Sequence, residues 1–234
     1  MRFIARNLLR SGADLLCLQE VSNAPGFLQH FQEHHLGGHY PYRLDPCGND
    51  PRGMNLAVLS KVPLQQTRSH AGHTFPLLDN SRASRFSRDL LAVDCQLKGK
   101  NWRVFATHLK SMRGGPSAHR QRESEAAAIV EILSSQVGEQ RPWVLLGDLN
   151  DHPDSPTLRR FLDPPVQLCN SLKVSGATRT ATFPCRGSRH QFDYILLPCW
   201  LTDSLVDSKV WPESRASDHA MVTASFNFEG SSLT

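Results

Sequence analysis

The sequence predicts a single α/β domain of packed layers, on three observations. Short apolar runs alternate with helical stretches along the whole 234 residues, no internal repeat or low-complexity linker breaks the pattern, and polar pairs stand where apolar runs stop. In layered α/β folds those strand ends are where ligands bind. A chain of this length buries a substantial core without disulfide or metal support.

Each element has its own signal. Phe3 to Arg10 reads as a helix closed by Ser11-Gly12, and Ala13 to Val21 as an apolar strand running into Gln19-Glu20. A second helix is expected over Phe27 to His35 and a strand over Met54 to Ser60. Leu90 to Leu97 and Trp102 to Leu109 form a hairpin about the turn Lys98-Gly99-Lys100-Asn101. Ser117 to Val137 is a long helix with Ala126, Ile129 and Leu133 on its apolar side, stopped by Gly138. Trp143 to Leu146 is an apolar strand entering Gly147-Asp148-Leu149-Asn150, and Ser155-Pro156 starts a short helix. Gln191 to Leu197, Ser204 to Val210 and Ala220 to Phe228 complete the strands.

With 39% hydrophobic and 21% charged residues, the composition is that of a globular protein rather than a disordered or fibrous one. No uninterrupted apolar run is long enough to cross a bilayer. The net charge of +4 fits an anionic partner but equally a solvated basic surface. Six cysteines without a CxxC pair point to reduced thiols, with a Cys169–Cys185 bridge left open.

The polar pairs carry the chemistry, and singly each has an ordinary reading. Glu20 serves equally as a surface carboxylate, Thr107-His108 as a core histidine, Gly147-Asp148-Leu149-Asn150-Asp151 as an Asx turn, and Ser217-Asp218-His219 as a polar turn. Asp193 within Phe192-Asp193-Tyr194-Ile195-Leu196 is more demanding, because a carboxylate among apolar strand residues needs a partner.

In order, QE, THL, GDLND, FDYIL and SDH, together with the strand Gly53 to Lys61, resemble the endonuclease/exonuclease/phosphatase superfamily, which includes deoxyribonuclease I. The resemblance runs from about Leu8 to Phe228. It implies a four-layer αββα sandwich, two mixed β-sheets face to face with helices outside. It also implies Mg²⁺-dependent hydrolysis of an anionic phosphoester, with Mn²⁺ as a substitute. Nuclease action on DNA or RNA is the first reading. A phosphomonoesterase or phospholipase-like enzyme for inositol phosphates, sphingomyelin or nucleotides is the alternative, and a weak or inactive binding paralogue is the non-enzyme reading.

Carried over residue by residue, the resemblance makes Glu20 a metal ligand, since its carboxylate is a hard oxygen donor, and places Asp218 near the same ion. Asp193 and His219 match the family's Asp–His pair, in which the carboxylate fixes and charges the imidazole. Asp148 competes with His219 as base, Asn150 orients water and phosphate, and His108 donates to a phosphate oxygen or to the leaving group. The chain departs from the family in one place. Members usually open with a strand ending in an asparagine, and that strand is not seen before the first helix. Asn7, inside the helix, is no substitute. The expectation is one domain over 1–234 lacking its first strand, with an unpaired sheet edge.

Three further signals need placing. His30-Phe31-Gln32-Glu33-His34 matches the HxxEH pattern of a zinc-protease helix but leaves the five ordered motifs unexplained. Lys110, Arg113, Arg120 and Arg122, and later Arg179, Arg186 and Arg189, either line one anionic cleft or face solvent. Few aromatics interleave with these charges, so no stacking platform is expected.

Overall fold

The computed structural model describes residues 1–139, 141–184, 189–211 and 217–228. Along the chain these form α1 (Arg2–Ser11), β1 (Leu15–Ser22), α2 (Phe27–His35), β2 (Tyr42–Leu44), β3 (Met54–Ser60), β4 (Leu64–Ser69), β5 (Thr74–Pro76) and β6 (Ala83–Arg85). There follow β7 (Leu90–Leu97), β8 (Lys100–His108), α3 (Gly115–Ser134), β9 (Trp143–Asp148), α4 (Pro156–Leu162), β10 (Leu168–Asn170), α5 (Ser171–Val174), β11 (Asp193–Pro198), β12 (Leu205–Val210) and β13 (Val222–Phe226). A 3-10 turn over Cys199–Ser204 links β11 to β12.

Four layers result. The central six-stranded sheet has the order β10-β11-β9-β8-β7-β4, and facing it are the three-stranded sheet β1-β3-β2 and the ribbon β12-β13. Side-chain alternation explains the stacking, because successive strand residues point to opposite faces. Phe105, Trp143, Leu145, Tyr194 and Leu196 turn outward to pack with Ala126, Ile129 and Leu133 of α3 and Leu158 and Phe161 of α4. Their neighbours Val104, Val144, Ile195 and Leu197 turn inward to meet Leu15, Cys17, Val222 and Phe226. On the other outside face, Ala5 and Leu8 of α1 and Leu28 and Phe31 of α2 cover Leu16, Ala57 and Leu59.

The expected sandwich is present, with a refinement of its sheets. Among the described residues only β8 with β9 is a parallel pair, so the six-stranded sheet is mixed and the three-stranded one is antiparallel. β1 stands at the edge of its sheet. Gly147 sits in β9 with φ 141, where a Cβ would collide with the Thr107 carbonyl oxygen across the β8–β9 pair. Only glycine lets the two backbones approach there.

The Cys169–Cys185 alternative and Arg186 fall partly or wholly outside the described residues. Cys17, Cys47, Cys95, Cys169 and Cys199 are free thiols, as the reduced reading expects. Burial and then a hydrogen bond with Cys199 push the Cys169 thiol up to about 11, which makes Cys199 its thiol neighbour. No helix among the described residues is long and apolar enough to cross a membrane.

Candidate active site

Strand register alone draws three of the expected residues into a row. His108, last in β8, is the parallel partner of Asp148, last in β9, and Asp148 is the antiparallel partner of Asp193, first in β11. The fourth, His219, arrives from the loop before β13. That loop is tied down because Ala220 donates its amide to the Thr182 carbonyl, while the Thr182 hydroxyl accepts the amides of Phe192 and Asp193. One threonine therefore holds both members of the Asp193–His219 pair.

The distances follow from that frame. His219 Nδ1 lies 2.8 Å from Asp193 Oδ2, His219 Nε2 lies 3.9 Å from Asp148 Oδ2, and His108 Nε2 lies 3.4 Å from the same oxygen. Asp148, Asp193 and His219 offer ligand atoms all within 4.8 Å of one another, the only such group of three among the described residues. Asn150, with φ 51, turns back so that its amide donates to Asp148 Oδ2 at 3.2 Å and to the Leu109 carbonyl at 3.1 Å.

Burial and charge separate the protonation states. Desolvation and then the Asp193 charge push Asp148 well above the usual carboxylate range, against the pull of His219. Burial disfavours a charge on His219, but the hydrogen bond and charge of Asp193, with Asp148 and Asp218 behind, outweigh it and raise the imidazole well above its ordinary value. His108 goes the other way: burial, then the charges of Arg88 and His219, keep it neutral. Its Nδ1 is buried without a hydrogen-bond partner.

Glu20 and Asp218 stand outside that group of three. Both are exposed. Glu20 lies within the register shift between Leu18 and Val21 of β1 and has φ 54. Its Oε1 meets Arg52 Nη2 at 3.1 Å, Arg52 also holds Asp50, Asp50 holds buried Arg88 at 3.0 Å, and Arg88 donates to the same Leu109 carbonyl as Asn150. A continuous polar chain thus joins Glu20 to Asp148. Asp50, Arg52 and Arg88 were not singled out from the sequence, because Asn-Asp-Pro-Arg-Gly reads as turn chemistry and Arg88-Asp89 as a polar strand start.

The Glu20 carboxylate is open to a divalent cation. The Glu20–Arg52 pair is more than half exposed on both sides, and such pairs contribute about 0–1 kcal/mol, so a hard cation meets little competition for the carboxylate. The HxxEH alternative fares differently. His30 and His34 stack edge-to-face at 4.2 Å on α2, and Glu33 accepts from Gln29. Among the described residues no third ligand joins them.

Two surface expectations change. Arg122 is 1% exposed, with its Nε 2.9 Å from Asp151 Oδ2, so it is a core ion pair rather than part of an anionic cleft. Arg120 pairs with Asp79. Conversely, aromatic rings do gather at the site. Phe183 lies 4.7 Å from the His219 ring and stacks on Phe192, which stacks on His190, and His152 closes the group. These residues are scattered in sequence and not interleaved with charge, which is why no pattern announced them.

The fold class is borne out by comparison with known proteins. The profile of the Endonuclease/Exonuclease/phosphatase family matches residues 1–232, and the chain belongs to that family. No curated protein sequence matches it. Among solved structures, the human Nocturnin catalytic domain with bound sulfate is similar at 19% identity and TM-score 0.71, covering 96% of this chain and 85% of that one. A family protein from Leptotrichia buccalis is similar at 15% and 0.72, covering 97% and 92%. The 3' phosphatase NExo from Neisseria, bound to a product DNA hairpin, is similar at 19% and 0.68, covering 96% and 93%.

Proposed function

We propose that this chain is a divalent-metal-dependent phosphodiesterase that cleaves nucleic acid. The observation that carries the reading is the position of His219, raised in pKa by Asp193 and in contact with a column of aromatic rings. A cationic imidazole attracts a phosphodiester oxygen, and a ring column beside it stacks the adjoining base. Neutral His108 donates a hydrogen bond to a second phosphate oxygen or to the leaving oxygen. The ionised form of Asp148, made more basic by its raised pKa, accepts a proton from water that Asn150 helps orient.

Glu20, with Asp218 as the second carboxylate that the resemblance implies, would hold Mg²⁺ or Mn²⁺, which would supply charge neutralisation at the phosphoryl group and leaving oxygen. The ligands bound in similar structures, a sulfate and a DNA hairpin, support an anion-binding site and a nucleic-acid substrate. The test is a substrate panel with Mg²⁺, Mn²⁺ or EDTA, using plasmid DNA, RNA, bis-nitrophenyl phosphate, inositol phosphates and sphingomyelin. Metal-dependent cleavage of DNA or RNA is expected. Hydrolysis confined to inositol phosphates or sphingomyelin would overturn the substrate class, and no hydrolysis at all would favour a binding role.

A further inference from the structure

A second cationic site lies far from this chemistry, on the outer face of the three-stranded sheet. α1 and α2 pack side by side over β1 and β3, and between them runs an open groove of about 380 Å³ lined by Arg2, Arg6 and Arg10 of α1 and His34 and His35 of α2. The three arginines recur every fourth residue, so they stand on one helical stripe about 6 Å apart along the axis. They are exposed, and among the described residues none of them is in an ion pair. Desolvation, then the charges of His30, the N-terminus, His34 and Arg2, hold His35 below the ordinary imidazole value. The arginines are the permanent charges of the groove.

Three uncompensated guanidinium groups in one groove repel one another, and an anion relieves that repulsion. Their regular axial repeat matches a ligand with charges at regular intervals, as on a nucleic-acid backbone. A lipid surface fits less well, because the apolar residues Ala5 and Leu8 of α1 are buried against the sheet and cannot insert. We infer that the α1–α2 groove is an exosite for the phosphate backbone of a nucleic-acid strand, engaged by Arg2, Arg6 and Arg10. The identity of the polyanion rests on the nucleic-acid reading above, whereas binding in the groove does not depend on catalysis.

The test compares the parent protein with Arg2→Ala/Arg6→Ala/Arg10→Ala and the charge-keeping Arg2→Lys/Arg6→Lys/Arg10→Lys. Binding of a fluorescent single-stranded oligonucleotide of about thirty nucleotides is followed in EDTA over a salt series. Each phosphate contact on a single strand adds about 0.7 to the slope of log K against log salt, so the alanine variant should lose about 2 from its slope. Its affinity should fall at least about tenfold, and the lysine variant should stay near the parent. Hydrolysis of bis-nitrophenyl phosphate and thermal unfolding should be alike in all three.

An unchanged slope in the alanine variant overturns the inference. So does arginine-dependent binding to phosphatidylserine vesicles without arginine-dependent binding to the oligonucleotide, which would assign the groove to a membrane surface; Phe3, exposed on the same helix, makes that arm necessary. If the slope changes as expected while no protein cleaves DNA or RNA, the exosite stands and the nuclease reading falls.

Discussion

Asp193 Oδ2 and His219 Nδ1 are joined at 2.8 Å across 26 residues of sequence, and that bond, with the charge behind it, overcomes the burial that would otherwise discharge the imidazole. Replacing the carboxylate should reverse the balance. In Asp193→Asn, an NMR titration of the metal-free protein should find the His219 pKa lowered relative to the parent. Activity losses should be non-additive, with Asp193→Asn/His219→Ala little worse than the poorer single variant. An unmoved His219 titration or full additivity would show that the two act independently.

Glu20→Gln keeps size and removes the charge that attracts a hard cation. Activity should fall about a hundredfold, with partial recovery at high Mg²⁺ or Mn²⁺. Because the competing Arg52 pair is exposed and weak, thermal stability without metal should barely change. Unaltered metal affinity in this variant would remove Glu20 from the ligand set.

Arg122 and Asp151 are both almost fully buried, and Asp151 also accepts from the Thr157 hydroxyl. Arg122→Ala leaves that carboxylate without its cation, at a cost of about 3–5 kcal/mol. At about 2–4 °C for each kcal/mol in a domain of this size, the melting temperature should drop by roughly 10 °C. A drop of only about a degree would mean that the site relaxes or hydrates.

Asp89 contributes one part of the pH dependence of stability. Burial pushes its carboxyl up to about 6, although the Ser69 hydroxyl and backbone amides of His70, Leu90 and Ala71 pull the other way. A raised folded-state pKa means that the native protein binds the proton more tightly than the unfolded chain does. The associated stability is present below about pH 4 and is lost as pH rises through about 6. Asp89→Asn, which stands in for the protonated carboxyl, should reduce the fall of melting temperature with pH in that window, so that the variant gains on the parent above about pH 6. A parallel displacement of the whole curve would assign the window to other groups.

Much of the fold was legible because burial on both faces of the central strands leaves apolar runs that only a few structures satisfy. Met54–Ser60 and Phe27–His35 match the expected bounds. β4 was not foreseen, since Leu64–Ser69 is polar and exposed beyond its first residue, and its strand state comes from pairing with β7 rather than from its own pattern. At the site, the motif residues His108, Asp148, Asn150, Asp193 and His219 converge. Their support does not show in sequence: Arg88, Asp50 and Thr182 matter through contacts set by folding, and Phe183, His190 and Phe192 become a column only when Phe183 and His190 pair as a β-bridge. Arg122 misled for the same reason, because charge on a helix says nothing about which side faces Asp151.

The glycine before Asp148 has a consequence for how such a protein changes over generations. Every single-base replacement of Gly147 brings a Cβ into the space of the Thr107 carbonyl, and no neighbouring side chain can make room because the obstacle is main chain. Drift at this position therefore has no graded path: a lineage keeps the glycine or loses the alignment of His108 with Asp148 at one stroke. For the same reason a random mutant library of this domain should return position 147 empty of survivors, while Leu145, two residues earlier on the same strand, accepts other apolar residues. The width of one hydrogen atom here limits what sequence space is open to the whole row.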